Sequence, residues 1–317
     1  MSSQAATLTG GSARPGFVAL WLQAIRVRTL VVMPPAAALG SIIALHDGFW
    51  SWPRFLMAVV GTAAMQSGTN LINDYYDYEI GTDPHEAAAP DPFGPSLCIQ
   101  NGLLTADQVW WGGITAFGIA SILGLILTWL CGWPVLAIGV ASVAGAYFYT
   151  ARPLSLAYYA LGDLTGFIFM GPAIVNGAYY VQARHFSADA IVASIATGFL
   201  GAGILLANNV RDIESDPSHG KHTLASLLGR RGAIIEIALF DAGAFVAVTI
   251  GVIVHVLPVF ALLVWFTVPR AISEIRILVR ERDWGVLNLA LKRSAQLHFE
   301  FLMLLMAAYL ITMAMGH

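Results

Sequence analysis

The chain has 317 residues, of which 57% are hydrophobic and only 11% charged, and its formal net charge is −3. Ordinary soluble domains carry about 25% charged residues, so the composition excludes an ordinary water-soluble globule. Without a basic surplus it also excludes a nucleic-acid binder. Cys98 and Cys131 stand too far apart for a disulfide framework or a zinc site.

Residues 1–16 open on a Ser/Thr/Gly-rich stretch with neither a basic n-region nor an apolar core, which reads as a disordered tail rather than a signal peptide. Residues 17–317 then read as one integral-membrane domain. Phe17–Arg28, with Trp21 and Arg26, has the pattern of a short amphipathic helix lying on the membrane surface. Nine apolar runs follow, near 29–46, 54–74, 109–130, 134–150, 158–181, 188–208, 232–254, 257–275 and 295–315. A bilayer crossing takes about 20 apolar residues. The fold class is therefore all-α, a multi-pass transmembrane bundle of about nine spans. Pro34-Pro35 and Pro172 interrupt spans, as membrane helices tolerate when neighbours satisfy the freed carbonyls. Ala271–Arg293 alternates charged and apolar residues like an interfacial helix.

Charge orients the bundle. With the N-terminus inside, only Arg54 and Arg184 of the 16 Lys and Arg residues fall outside, a strong positive-inside bias. Two polar stretches then end spans on the cytoplasmic side.

The first is Asn70-Leu-Ile-Asn-Asp-Tyr-Tyr-Asp-Tyr-Glu-Ile-Gly-Thr-Asp83. On a helix, Asn70, Asn73, Asp74 and Asp77 fall at i, i+3, i+4 and i+7, hence on one face. Two carboxylates and two amides there are hard oxygen ligands suited to Mg²⁺. The bland alternative is a helix end wetted by headgroups, with Gly81 and Asp83 forming a turn. The second stretch, Asn208-Asn-Val-Arg-Asp-Ile-Glu-Ser-Asp216, spaces Asn208, Asp212 and Asp216 at i, i+4 and i+8. Two acidic ends on one side of a membrane can hold a diphosphate only through bridging metal ions, which reverse the local sign.

These two motifs, with Tyr149-Thr-Ala-Arg-Pro-Leu154 between them, resemble the UbiA superfamily of intramembrane aromatic prenyltransferases. Within it, they are most similar to the 1,4-dihydroxy-2-naphthoate polyprenyltransferases of menaquinone synthesis, and the similarity runs from about Trp21 to the last helix. The resemblance implies a nine-helix fold, a Mg²⁺-bound polyprenyl diphosphate, an aromatic acceptor and a bacterial cell (inner) membrane location.

For alkylation of an electron-rich ring by an allylic cation, Asp74 and Asp77 would hold one Mg²⁺ and Asp212 and Asp216 another. Asn70, Asn73 and Asn208 would complete or orient those shells. Arg152, Arg211 and Lys221 are the cations available to clamp phosphate oxygens, or else positive-inside anchors. Tyr147 and Tyr149 can turn ring faces to the cation, or simply sit at the interface. Asp163 can take a proton from the acceptor. Asp83 and Glu79 are lesser candidates, and the Pro-rich segment 85–96 reads as a cap over the site or a plain connector.

The chain departs from the superfamily pattern at Gly81, where many members have Asp. No Lys or Arg occurs between Tyr75 and Asp107, where relatives have a basic residue. Other phenolic acceptors, of the hydroxybenzoate or homogentisate type, remain open alternatives. So does a cation-coupled transporter, although paired carboxylates at one rim favour an enzyme.

Overall fold

A computed structural model describes residues 15–82 and 94–316. The tail up to residue 14, Asp83 and most of the Pro-rich segment lie outside the described residues. Among the described residues, eleven α-helices run in chain order. They are α1 (Phe17–Ala24), α2 (Met33–His46), α3 (Trp52–Ile80), α4 (Ala106–Cys131), α5 (Trp133–Phe148), α6 (Gly162–Met170), α7 (Pro172–Ala183), α8 (Ala188–Arg211), α9 (Leu224–Ile253), α10 (Val268–Arg280) and α11 (Trp284–Ala314).

Among the described residues, seven segments are long and apolar enough to cross a membrane: Val27–His46, α3, α4, Gly162–Ala183, α8, α9 and α11. Of the nine predicted runs, the fourth becomes α5, a shorter apolar helix of 16 residues. The eighth is not one helix. Val259–Thr267 winds as a 3₁₀ segment and hands over to α10, which is strongly amphipathic. Nor is Ala271–Arg293 one interfacial helix: α10 stops at Arg280, and Asp283 caps a new helix by accepting from the Val286 amide at 2.9 Å. α9 includes a short piece before the predicted 232, but Gly229, with φ 67° and ψ 164°, breaks the helix there, so its long part begins close to the predicted start.

The helix ends that matter are set locally. Pro53 sits in the first turn of α3, where its missing N–H costs nothing. Gly81, at φ 85°, closes α3 in the left-handed region and returns its N–H to the Asp77 carbonyl at 3.0 Å. α3 therefore stops one turn after its acidic motif.

The second motif departs from its predicted spacing. α8 ends at Arg211, Asp212 is its cap, and Asp216 opens a 3₁₀ turn, Asp216–His219. Pro217 disfavours helical geometry at the residue before it, so the i, i+8 position is never reached on one helix.

α8 is the most enclosed span and packs through small residues. A Cβ on Gly171, at the α6–α7 break, would lie 2.4 Å from the Gly198 backbone. One on Gly40 of α2 would lie 2.1 Å from the Val175 carbonyl oxygen. Only glycine permits backbones this close, as at other membrane helix interfaces. One core cluster (Leu39, Tyr179, Leu200, Phe301) joins α2, α7, α8 and α11. A second (Val210, Ile237, Leu278, Leu291) joins α8–α11 nearer the acidic motifs. Amphipathic α1 lays Ala24 and Trp21 against Leu71, Cys98 and Leu104.

Candidate active site

The carboxylates of both motifs gather at one end of the bundle, each held differently. Asp74 is buried. Its Oδ1 accepts from Arg26 Nη1 at 3.2 Å, and its Oδ2 accepts from the Ser96 amide at 3.0 Å. Asp77 Oδ1 accepts from the Tyr158 hydroxyl at 2.8 Å. Asp212 accepts two bonds from Arg211, at 2.8 and 2.6 Å, and a third from Trp284 Nε1 at 2.9 Å. Asp216 Oδ1 accepts from Lys221 Nζ at 3.2 Å.

The loop after α5 brings the two motifs together. The Ala157 amide donates to the Tyr149 carbonyl at 2.8 Å, and the His222 amide donates to the Tyr158 carbonyl at 3.0 Å. The second bond clamps the Lys221 loop to the segment that carries Tyr158. Lys221 is half-buried beside Asp216, with Asp77 and Asp212 close enough to act on its charge. Burial opposes that charge, yet the carboxylates outweigh it and raise the ammonium's pKa above its ordinary value. Asp216 is pushed up to about 6, by burial first and then by its neighbours Asp212 and Asp77, against the pull of Lys221. Asp212 goes the other way. Burial would raise it, but the Arg211 hydrogen bonds and charge hold it below the usual carboxylate range. Tyr149 and Tyr158 are both pushed up, first by burial and then by carboxylate charge, so both phenols are proton donors here.

A cavity of ≈ 330 Å³ opens from this cluster. Asn70, Asn73, Asp77, Tyr149, Asn208 and Lys221 line it at the polar end, with Arg26, Tyr158 and Asn209. It continues between α3, α4, α5 and α7 to Met57, Leu127, Val135 and Val181. Met57 and Asp77 stand twenty residues apart on α3, about 30 Å at 1.5 Å per residue.

Several predicted residues are engaged elsewhere, and Arg211, Tyr147, Asp163 and Arg152 do not line that space. Asn70 Nδ2 donates to the Ile25 carbonyl and to Thr29 Oγ1, both at 2.9 Å, and so braces the turn that carries Arg26. Arg211 is engaged by Asp212, by Asn288 Oδ1 at 2.9 Å, and by the Trp284 ring 4.9 Å away. Tyr147 pairs with Tyr76, hydroxyl to hydroxyl at 3.2 Å. Asp163 is buried beside Asn209, which donates to it at 3.4 Å. Arg152 is exposed. Arg26, Ser96, Tyr158, Asn209 and Trp284 were not singled out by sequence reasoning as site residues. Nothing local ties Arg26 to Asp74, 48 positions away. Tyr158 follows the Tyr149–Leu154 motif closely, and that proximity was the one available signal.

The donor set fits a hard divalent cation. Five carboxylates (Asp74, Asp77, Asp163, Asp212 and Asp216) face three basic groups, Arg26, Arg211 and Lys221, so the cluster has surplus negative charge. The buried atoms Asn73 Oδ1 and Asp216 Oδ2 accept no hydrogen bond among the described residues. Oxygen donors with surplus charge are the setting Mg²⁺ takes.

The UbiA prenyltransferase family model matches residues 32–285. The chain belongs to that family. UbiA relatives include the 1,4-dihydroxy-2-naphthoate octaprenyltransferase of Bacillus subtilis (strain 168), 30% identical over 92% of each chain. The enzyme of the same description from Mycobacterium tuberculosis (strain ATCC 25618 / H37Rv) is 34% identical over 67% of this chain and 70% of its own. Among solved structures, the apo UbiA homologue from Aeropyrum pernix K1 aligns with a TM-score of 0.66 at 19% identity, covering 90% of this chain and 98% of that one. A UbiA homologue from Archaeoglobus fulgidus bound to GPP and Mg²⁺ aligns at 0.63 and 16%, over 92% and 99%. At such identities the structural likeness speaks for the fold, while the family match makes the chain a prenyltransferase. Its apolar spans make it a multi-pass membrane protein.

Proposed function

We propose that this UbiA enzyme transfers a polyprenyl group from its diphosphate to 1,4-dihydroxy-2-naphthoate, in a Mg²⁺-dependent reaction. The observation that carries this reading is the position of Asp77 and Lys221, which line the polar end of a long apolar cavity together. A charged head and an isoprenoid tail need that combination. The naphthoate acceptor is supported by relatives of that description across most of the chain.

Asp77 with Asn73, and Asp212 with Asp216, would hold the metal, and Asp74 would anchor the first group through Arg26. Bound Mg²⁺ supplies Lewis-acid stabilisation of the negative charge left on the diphosphate. Lys221 and Arg26 donate to phosphate oxygens as the allylic C–O bond breaks and its electron pair leaves with the diphosphate. The Tyr149 ring lines the cavity beside this point and can face the allylic carbon as it becomes cationic. A ring carbon of the acceptor supplies the new bond's electrons and then loses its own substituent, as a proton or, at the carboxylated carbon, as CO2, which restores the aromatic ring. Asp163 does not itself line the cavity, but its hydrogen-bond donor Asn209 does, so Asp163 would draw off the acceptor's proton from behind that wall. The apolar walls exclude water, which would otherwise capture the cation. The positive-inside bias supports an inward-facing N-terminus and a reaction at the cytoplasmic rim of a bacterial cell membrane.

The test is an acceptor panel with isotopically labelled prenyl diphosphate in detergent, read by mass spectrometry with and without chelator. Prenylated naphthoate product and Mg²⁺-dependent diphosphate release are expected. Transfer to hydroxybenzoate or homogentisate alone would overturn the acceptor, and chelator-insensitive transfer would overturn the metal.

A further inference from the structure

At the end of the bundle opposite the acidic motifs, a second polar cluster joins α2, α7, α8 and α11. It lies at the start of α8, while Asp212 caps its far end, about 35 Å away at 1.5 Å per residue. A ring nitrogen of His46, a carboxylate oxygen of Asp47 and one of Asp189 all lie within 4.8 Å of one another. Tertiary packing makes this arrangement, because Asp189 comes from a different helix. The donors are one imidazole and two carboxylates, a mixed set that suits borderline divalent ions such as Zn²⁺ or Mn²⁺ better than Mg²⁺.

The surroundings orient these groups. The Tyr179 hydroxyl donates to Asp47 Oδ2 at 2.6 Å and the Tyr309 hydroxyl to Asp189 Oδ2 at 3.4 Å. Both tyrosines are 0% exposed, so each phenol is held by the core and in turn fixes a carboxylate. The Ala190 amide, at 3.0 Å, and the Ser187 hydroxyl hold Asp189 Oδ1. The His46 ring stands edge-on to Tyr309, centroids 5.2 Å apart. Outer partners of this kind set the direction of metal-ligating groups. Charge points the same way. Among the described residues no Lys or Arg pairs with Asp47 or Asp189, and His46 is the one basic partner, 3.1 Å from Asp47. Two carboxylates this close repel each other unless a proton, the adjacent His46 in its protonated form or a metal cation offsets them.

We propose that His46, Asp47 and Asp189 bind one divalent transition-metal ion, ties the end of α2 to the start of α8 being its role, apart from the prenyl-transfer site. The full-length protein in detergent is stripped with chelator, incubated with Zn²⁺ under excess Mg²⁺ and desalted. Bound zinc is then read by elemental mass spectrometry and by X-ray absorption. Wild type should retain about one Zn²⁺ per chain, show imidazole scattering and melt at a higher temperature than the stripped protein. His46→Gln and Asp189→Asn should each lose the ion and the temperature gain while prenyl transfer stays unchanged, and Asp74→Asn should keep the ion. If Asp189→Asn does not purify as a single species, exposed Asp47→Asn is read in its place. Zinc absent from wild type, or retained equally by His46→Gln and the carboxylate variant, overturns the site.

Discussion

Arg26 Nη1 lies 3.2 Å from Asp74 Oδ1, across 48 residues of chain. The guanidinium thereby enters the acidic cluster from the turn before α2, and the side chains are only 15% and 7% exposed. No Lys or Arg lies between Tyr75 and Asp107, so Arg26 supplies positive charge that this loop does not. Arg26→Ala should lower kcat/KM for prenyl diphosphate by about 10- to 100-fold, the loss of one charge-assisted bond. It should also lower the melting temperature, since it leaves Asp74 buried without its cation. Arg26→Lys should recover part of each. Steady-state kinetics alongside thermal unfolding separate the two effects.

Asp74→Asn, Asp77→Asn, Asp212→Asn and Asp216→Asn should each reduce turnover by about 100-fold or more, while insertion and extraction stay normal. Each keeps shape but deletes a charge: Asp77, Asp212 and Asp216 would hold the metal, and Asp74 holds Arg26 beside it. Near-normal turnover at saturating Mg²⁺ in any two of them would remove the metal-binding reading.

Lys221 and Arg152 make a controlled pair. Lys221 is half-buried among Asp216, Asp77 and Asp212 and lines the cavity, whereas Arg152 is exposed. Lys221→Ala should raise KM for prenyl diphosphate and cut kcat/KM by about tenfold or more, as expected for a lost phosphate contact. Arg152→Lys should stay within about twofold of wild type, a difference under 0.5 kcal/mol. Matching losses in the two would mean that Arg152 swings into the site during the reaction.

Mg²⁺ affinity should depend on pH through Asp216, whose pKa is pushed up to about 6. Below that value Asp216 holds a proton that the metal must displace, whereas Asp212, held low by Arg211, stays ionised. Apparent affinity should therefore fall by up to about tenfold per pH unit as pH drops below 6, the dependence for one displaced proton. The slope should flatten in Asp216→Asn. Mg²⁺ titrations of both proteins between pH 5 and about 8 give the comparison.

Close packing gives a stability prediction. A Cβ on Gly171 would lie 2.4 Å from Gly198 backbone atoms, which cannot rotate away. Gly171→Ala should cost about 1–3 kcal/mol and lower the melting temperature. Gly118→Ala, with open space around its Cβ, should leave it unchanged.

The amino-acid order by itself marked seven of the nine predicted spans and the two acidic ends. A bilayer requires each crossing to satisfy its own backbone and to present about 20 apolar residues, so the signal is contained in each segment. The ends of α3 were equally local, since Pro53 and Gly81 mark them in the chain. Where local rules compete, as at Asp216 before Pro217, the periodic reading failed and the helix stopped at Arg211. Only the tertiary structure decided which carboxylate meets which partner. Asp77 meets Tyr158 across 81 residues, Asp163 meets Asn209 across 46, and Asp74 meets Arg26 and Ser96 on opposite sides. Only the Asp163–Asn209 pair involves α8, whereas the others form where the turn after α1 and the loops after α3 and α5 close on α3. Helix periodicity records which face a residue occupies, but not what the packed bundle brings opposite it.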